Sequence, residues 1–172
     1  MPAHISEPAP LVRFLYLFQD DPRKSTMKKL ERFHLATRTD RKGALRSLVL
    51  SHAAEKYLMP SDHQLILKVG ITVIEGSWNR DELLQDERFR HGRRLPPLMA
   101  SNPVNYGKWN RLSSVEAVSA SLIITGFREM GEHLLSKFNW GENFIALNRW
   151  LLDEYSRCTS REDIEKTIAM IA

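Results

Sequence analysis

The sequence predicts an α/β protein: an N-terminal part built on a mainly parallel sheet, then an all-helical C-terminal part. Two observations carry this. Up to about residue 100, short apolar runs alternate with helical stretches, the order that produces crossover units and parallel strands. From residue 113 onward the apolar positions recur at helical spacing and never alternate in the manner of a strand. With 172 residues, 42% hydrophobic and 27% charged, the chain is long enough to bury a core in one domain or two small ones.

Each element has its own signal. LVRFLYLF (11–18) is short, apolar and closed by Gln19-Asp20-Asp21-Pro22, which predicts a buried strand. KKLERF follows Ser25-Thr26, either of which can cap a short helix. HLATRTD (34–40) and SLVLS (47–51) read as the second and third strands, and AAEKYL after them as a helical turn. Pro60-Ser61-Asp62 opens a helix over HQLILKV that stops at Gly70. ITVIE (71–75) is the fourth strand, NRDELLQDERF (79–89) a helix, and RLPPLMA (94–100) a fifth extended segment whose two prolines suit an edge or irregular strand. Four helices are then expected, over SSVEAVSASLIITGF, REMGEHLLSKF, NFIALNRWLLDEYSR and SREDIEKTIAMI. The first carries Ser113 with Glu116 three residues on, the spacing of a capping box. Residues 1–94 are expected to form the α/β domain (1–10 a disordered lead-in) and residues 95–172 the helical one.

Composition narrows the function. No apolar run reaches the ~20 residues of a membrane helix, and MPAHISEPAP has no basic start followed by an apolar stretch, so a cytoplasmic protein without a secretory leader is expected. One cysteine, Cys158, rules out an intrachain disulfide and a cysteine metal site. The six histidines lack ligand spacing, so no metal is expected, and GxGxxG, P-loop and HExxH patterns are missing. Charge is segregated: residues 1–112 hold 19 basic and 12 acidic side chains, residues 113–172 hold 6 and 9. A one-sided positive field suits a polyanion, and it equally serves solubility.

In parallel α/β sheets ligands sit beyond the carboxyl ends of the strands. Those ends are Asp20 to Thr26, Leu50-Ser51-His52, Glu75-Gly76-Ser77-Trp78 and Ser101 to Gly107. Hydroxyls, carboxylates, a tryptophan and turns with backbone donors make up the polar and apolar mixture of a small-molecule pocket. The helix starting near Ser113 would aim its N-terminus at the same rim.

Three blocks resemble a known family. They are DPRKSTMKKLERF; SLVLSHAAEKYLMPSDHQ with VIEGSW; and LPPLMASNPVNYGKWNRLSSVEA followed by FNWGENFIALNRWLLDEY. In order and spacing, from Leu11 to Tyr155, they are similar to the small-subunit rRNA aminocarboxypropyltransferases, ribosome-maturation enzymes related to SPOUT methyltransferases. The resemblance implies a deep trefoil knot, with Asn-Pro-Val-Asn-Tyr-Gly in a cofactor-binding segment that recognises the adenine of S-adenosylmethionine. It implies transfer of the 3-amino-3-carboxypropyl group to a uridine (or modified uridine) nitrogen of small-subunit rRNA, releasing methylthioadenosine. The alternatives are an RNA methyltransferase of the same class and a non-catalytic RNA-binding assembly factor.

The same resemblance implies the roles. Trp78 would pack on the cofactor and shield its methyl group; as a residue just past a strand it could equally be core. Leu50, Leu95 or Leu98, Leu112 and Ala117 would line the adenine pocket, where ordinary core packing fits each one singly. Ile74 backbone groups would hold the ribose, and Thr26 and Ser114 the amino-acid end. Glu75 would orient the ammonium or assist loss of the uridine imino proton. Ser25, Met27, His52 and Gly76 depart from the family's usual cysteine, glycine, proline and cysteine; Met27 and His52 flank the cofactor pocket. Basic candidates for RNA are Arg23, Lys24, Lys28, Lys29, Arg88, Arg90, Arg93, Arg94, Lys108 and Arg111, which would position the strand through its phosphates. Trp109, beside Lys108, is a candidate to stack on a displaced base. Phe138, Trp140, Phe144 and Trp150 have core spacing, Cys158 is expected to be inert, and the protein is expected to be a monomer.

Overall fold

The computed structural model describes residues 8–16, 25–75 and 89–172. Strands β1 (Val12–Tyr16), β2 (Thr37–Arg38), β3 (Leu48–Leu50), β4 (Ile71–Glu75) and β5 (His91–Arg93) form one sheet in the order β2-β1-β4-β3-β5. Every pairing in it is parallel. Helices α1 (Thr26–Arg32), α2 (Arg41–Arg46) and α3 (His63–Val69) lie in the sheet half, and α4 (Ser114–Ile124), α5 (Arg128–Leu135), α6 (Gly141–Tyr155) and α7 (Arg161–Ala169) follow.

The central strand is the most apolar one. ITVIE is buried at four of five positions, as expected for a parallel strand covered on both faces. Its one interior hydroxyl, Thr72, is satisfied by Ser47 Oγ at 2.6 Å. Gly70 ends α3 at φ +75°, where a Cβ would lie 2.9 Å from Leu11 O, so the turn into β4 requires glycine. Register sets Tyr16 opposite Glu75 and Leu50 opposite Val73 and Arg93. The carboxyl ends of β1, β4, β3 and β5 therefore share one edge.

Helix α4 is the keel. Nine of its eleven residues are buried, the signature of a helix enclosed on all sides. It packs on β4 and α1 on one side and on α5 and α6 on the other. Small residues such as Ala120, Ser119 and Ser121 allow this close approach. Core side chains from both halves, Phe14 and Ile71 with Leu122 and Phe144, belong to one cluster.

Two expectations needed correction. The AAEKYL stretch is not helical: Tyr57 bridges Arg94, with Arg94 N donating to Lys56 O at 2.8 Å and Leu58 N to Arg94 O at 2.9 Å. Pairing with the chain leaving β5 outweighs a helical turn here. The fifth strand is His91–Arg93, not 94–100, because Pro96 and Pro97 have no N–H to donate to a ladder. Helix α2, capped by Asp40 accepting from Gly43 N at 2.8 Å, was not anticipated. The helix read over 79–89 falls, Phe89 excepted, outside the described residues. So do Arg23, Lys24, Trp78 and Arg88.

Candidate active site

Three chain ends converge at the carboxyl edge of the sheet. Glu75 ends β4 and is nearly buried. Its carboxylate accepts from Ser25 Oγ and from Met27 N (3.4 Å), at the first turn of α1. Ser25 is also the N-cap of that helix, accepting from Lys28 N at 3.2 Å. Thr26 Oγ1 in turn accepts from Val115 N of α4 at 3.1 Å. This bond ties the start of α1 to the start of α4 and sets Thr26 beside Ser114, two residues that motif matching alone had paired. Ser25 thus serves its own helix and the contact with β4 together.

The turn after Leu98 forms the third wall, and it is tightly specified. Gly107 N donates to Ala100 O (2.8 Å), Ala100 N to Lys108 O (2.9 Å) and Asn110 N to Leu98 O (3.0 Å). Glu116, fully buried, holds this turn to α4. Its carboxylate accepts from Ser101 N (2.7 Å), Asn102 N (3.1 Å), Asn102 Nδ2 (2.8 Å), Ser113 N (2.7 Å) and Ser113 Oγ (2.9 Å). The capping box is present as expected, and its glutamate reaches beyond it. On the opposite side Asn148 of α6 pairs with Met99 as a backbone strand would, accepting from its N at 2.8 Å and donating to its O at 2.9 Å. Tyr155 donates to Pro97 O at 2.8 Å, and burial pushes its phenol well above the ordinary range. Glu116, Asn148 and Tyr155 were missed as site-shaping residues, although all three lie inside the motif blocks and Glu116 also stands at cap spacing.

The remaining expected residues fall into two groups. Leu50 and Leu98 are buried in the core cluster, while Ile74, Leu95, Leu112 and Ala117 keep partly exposed edges facing neighbouring elements. His52 is exposed and Met27 is fully buried in the core. The donor set suits an amino-acid nucleoside. The Thr26 and Ser114 hydroxyls suit a carboxylate, Glu75 an ammonium and the leucine edges an adenine, while the Val115 and Glu116 amides are already taken by Thr26 Oγ1 and Ser113 Oγ.

Among the basic residues, Arg90, Lys108 and Arg111 are exposed. Lys28 Nζ lies 4.3 Å from the centroid of the Tyr16 ring and Lys29 Nζ 4.7 Å from that of Phe138. Arg93 is committed to Asp62 at 3.1 Å, and Arg94 stacks over Tyr57 at 4.5 Å. In the helical half Phe144 is buried, but Trp150 is 47% exposed and is not core. Cys158 is buried, which raises its thiol pKa and disfavours the thiolate. An open groove of about 900 Å³ between α5 and α6, bordered by Glu132, His133 and Arg149, shares no residue with the strand-edge site.

The parallel sheet with helices packed on it places the protein in the α/β class. Residues 48–171 match the family described as "Ribosome biogenesis protein, C-terminal", and the chain belongs to that family. It is 52% identical over 144 residues to the 16S rRNA aminocarboxypropyltransferase of Thermoplasma acidophilum, covering 84% of this chain and 88% of that protein. It is 35% identical over 148 residues to the 18S rRNA aminocarboxypropyltransferase of Saccharomyces cerevisiae, covering 85% of this chain and 47% of the yeast protein. Among solved structures it is similar to the SAM-dependent rRNA:acp-transferase Tsr3 from Vulcanisaeta distributa, with TM-score 0.80, 34% identity, and 94% and 97% of the two chains covered.

Proposed function

We propose that this protein transfers the 3-amino-3-carboxypropyl group of S-adenosylmethionine to a uridine, or modified uridine, nitrogen of small-subunit rRNA. The carrying observation is the 52% identity, spanning most of both chains, to a protein named for this reaction. When bound, the sulfonium makes the arm carbon next to sulfur open to attack by the uridine nitrogen, the carbon–sulfur pair passing to sulfur as methylthioadenosine leaves. Positioning can therefore supply most of the rate.

In this reading Thr26 and Ser114 hold the carboxylate of the arm. Glu75 faces its ammonium or receives the uridine imino proton. Leu50, Leu95, Leu112 and Ala117 enclose the adenine with His52 at the rim and Leu98 packed in the core behind them, Ile74 backbone groups hold the ribose, and Trp78 covers the methyl group. Lys28, Lys29, Arg90, Arg94, Lys108 and Arg111, with Arg23, Lys24, Arg88 and Arg93, draw in the RNA. The segment after β5 passes through a deep trefoil knot, which would divide the chain near residue 95. The protein works as a cytoplasmic monomer.

The test uses unmodified rRNA and two cofactor preparations, labelled in the methyl or in the carboxyl group. Carboxyl label in RNA, with methylthioadenosine released, is expected. Methyl label in RNA would instead make the protein a methyltransferase, and RNA bound without either label an assembly factor.

A further inference from the structure

The turn that closes the site holds its large apolar side chains outward. Val104 is 79% exposed, Tyr106 61% and Trp109 41%. Single exposed apolar residues are common, but three within six positions of one ordered turn form a patch that water does not favour. The backbone beneath does not let them fold inward. Asn105 N donates to Asn102 Oδ1 at 3.0 Å, Lys108 N to Asn105 O at 3.0 Å, and Trp109 bridges Met99. Asn143 Nδ2 donates to Tyr106 OH at 3.4 Å, holding that ring toward α6. Rings fixed in advance lose little entropy on binding.

Charge selects the partner. Residues 88–115 contain six arginines and lysines and no aspartate or glutamate, and Lys108 and Arg111 stand exposed beside the rings. Aromatic faces next to cations match unpaired nucleotides, whose base faces are free to stack while their phosphates meet the cations. A paired stem hides its base faces, and a basic peptide would be repelled. We infer that Val104, Tyr106 and Trp109 form a stacking platform for unpaired nucleotides flanking the target in the rRNA, with Lys108 and Arg111 on the adjoining phosphates. This rests on the rRNA reading above and adds to it how the substrate strand is seated.

The test measures affinity of the full chain for an unmodified small-subunit rRNA hairpin that it modifies, and for the same strand fully paired, at two salt concentrations. Trp109→Leu and Tyr106→Leu, which keep apolar bulk but remove the ring, should each weaken loop binding about tenfold. Binding to the paired strand and the salt slope should hardly change. Trp109→Phe should restore most of the loss. Lys108→Gln should lower the salt slope by about 0.7. If wild-type protein binds and modifies the hairpin while both leucine variants bind it within twofold of wild type, the platform is wrong and the transferase reading stands. Equal losses on loop and paired strand, or a change in sedimenting mass marking the patch as a contact between copies, would also overturn it. A wild type that neither binds nor modifies rRNA removes the underlying reading, and this one with it.

Discussion

Glu116 shows how much one side chain can organise. Its carboxylate takes donors from Ser101, Asn102 and Ser113. It therefore joins both ends of the closing turn to α4. Removing it leaves buried amides without acceptors, at about 1–3 kcal/mol each. Glu116→Ala is expected to lose at least about 3 kcal/mol in denaturant unfolding. Glu116→Gln is the sharper probe: it keeps one acceptor but turns an NH2 toward the donors of Ser113 and Asn102. It should stay folded while S-adenosylmethionine affinity, read by titration calorimetry, falls about tenfold or more; unchanged affinity would detach the turn from cofactor binding.

At the scale of elements, helix starts do double duty. Ser25, Thr26 and Ser113 could be read as caps because cap chemistry is local. That Thr26, the first residue of α1, accepts from α4 depends on two helices meeting, which no spacing expresses. Gly141 is similar. It stands in the Trp-Gly block that marks the family resemblance, and its reason is contact: a Cβ there would lie 1.9 Å from Leu135 O. Gly141→Ala should push α6 away from the end of α5 and lower the melting temperature by several degrees, by about 2 kcal/mol or more. Because α6 carries Asn148, the same variant should also loosen the pairing at Met99, visible as faster amide exchange there. Normal protection at Met99 would mean that α6 shifts without disturbing the turn. The strand readings were right wherever apolar runs were short and bounded. The strand reading fails at 94–100, where the prolines lack donors, and the helical-turn reading fails at AAEKYL, where pairing between Tyr57 and Arg94 decides the outcome.

The whole molecule carries its positive charge unevenly, and the crowding is measurable. His91 titrates below its ordinary value because of partial burial first, then the charges of Arg90 and Arg93, with Lys56 adding a little and Asp62 opposing. A histidine harder to protonate when folded means that the unfolded chain binds more protons between the folded value and about 6.5. Stability from this source is complete above about pH 6.5 and declines as pH falls below it. Because His91 is partly exposed, the effect should be small. His91→Gln should flatten the change in melting temperature between pH 7.5 and 5.5, and an unaltered profile would assign that pH dependence elsewhere. What the sequence determined alone were the features set by neighbours along the chain: strand runs, caps, the charge division and the motif blocks, which carried the family. Tertiary structure decided which buried polar groups meet across long separations, as with Glu116 and Ser101 or Asn148 and Met99. It also decided which aromatic residues stay outside. A side chain's hydrogen-bond partner and its exposure follow from how the elements pack, and local pattern does not encode that packing.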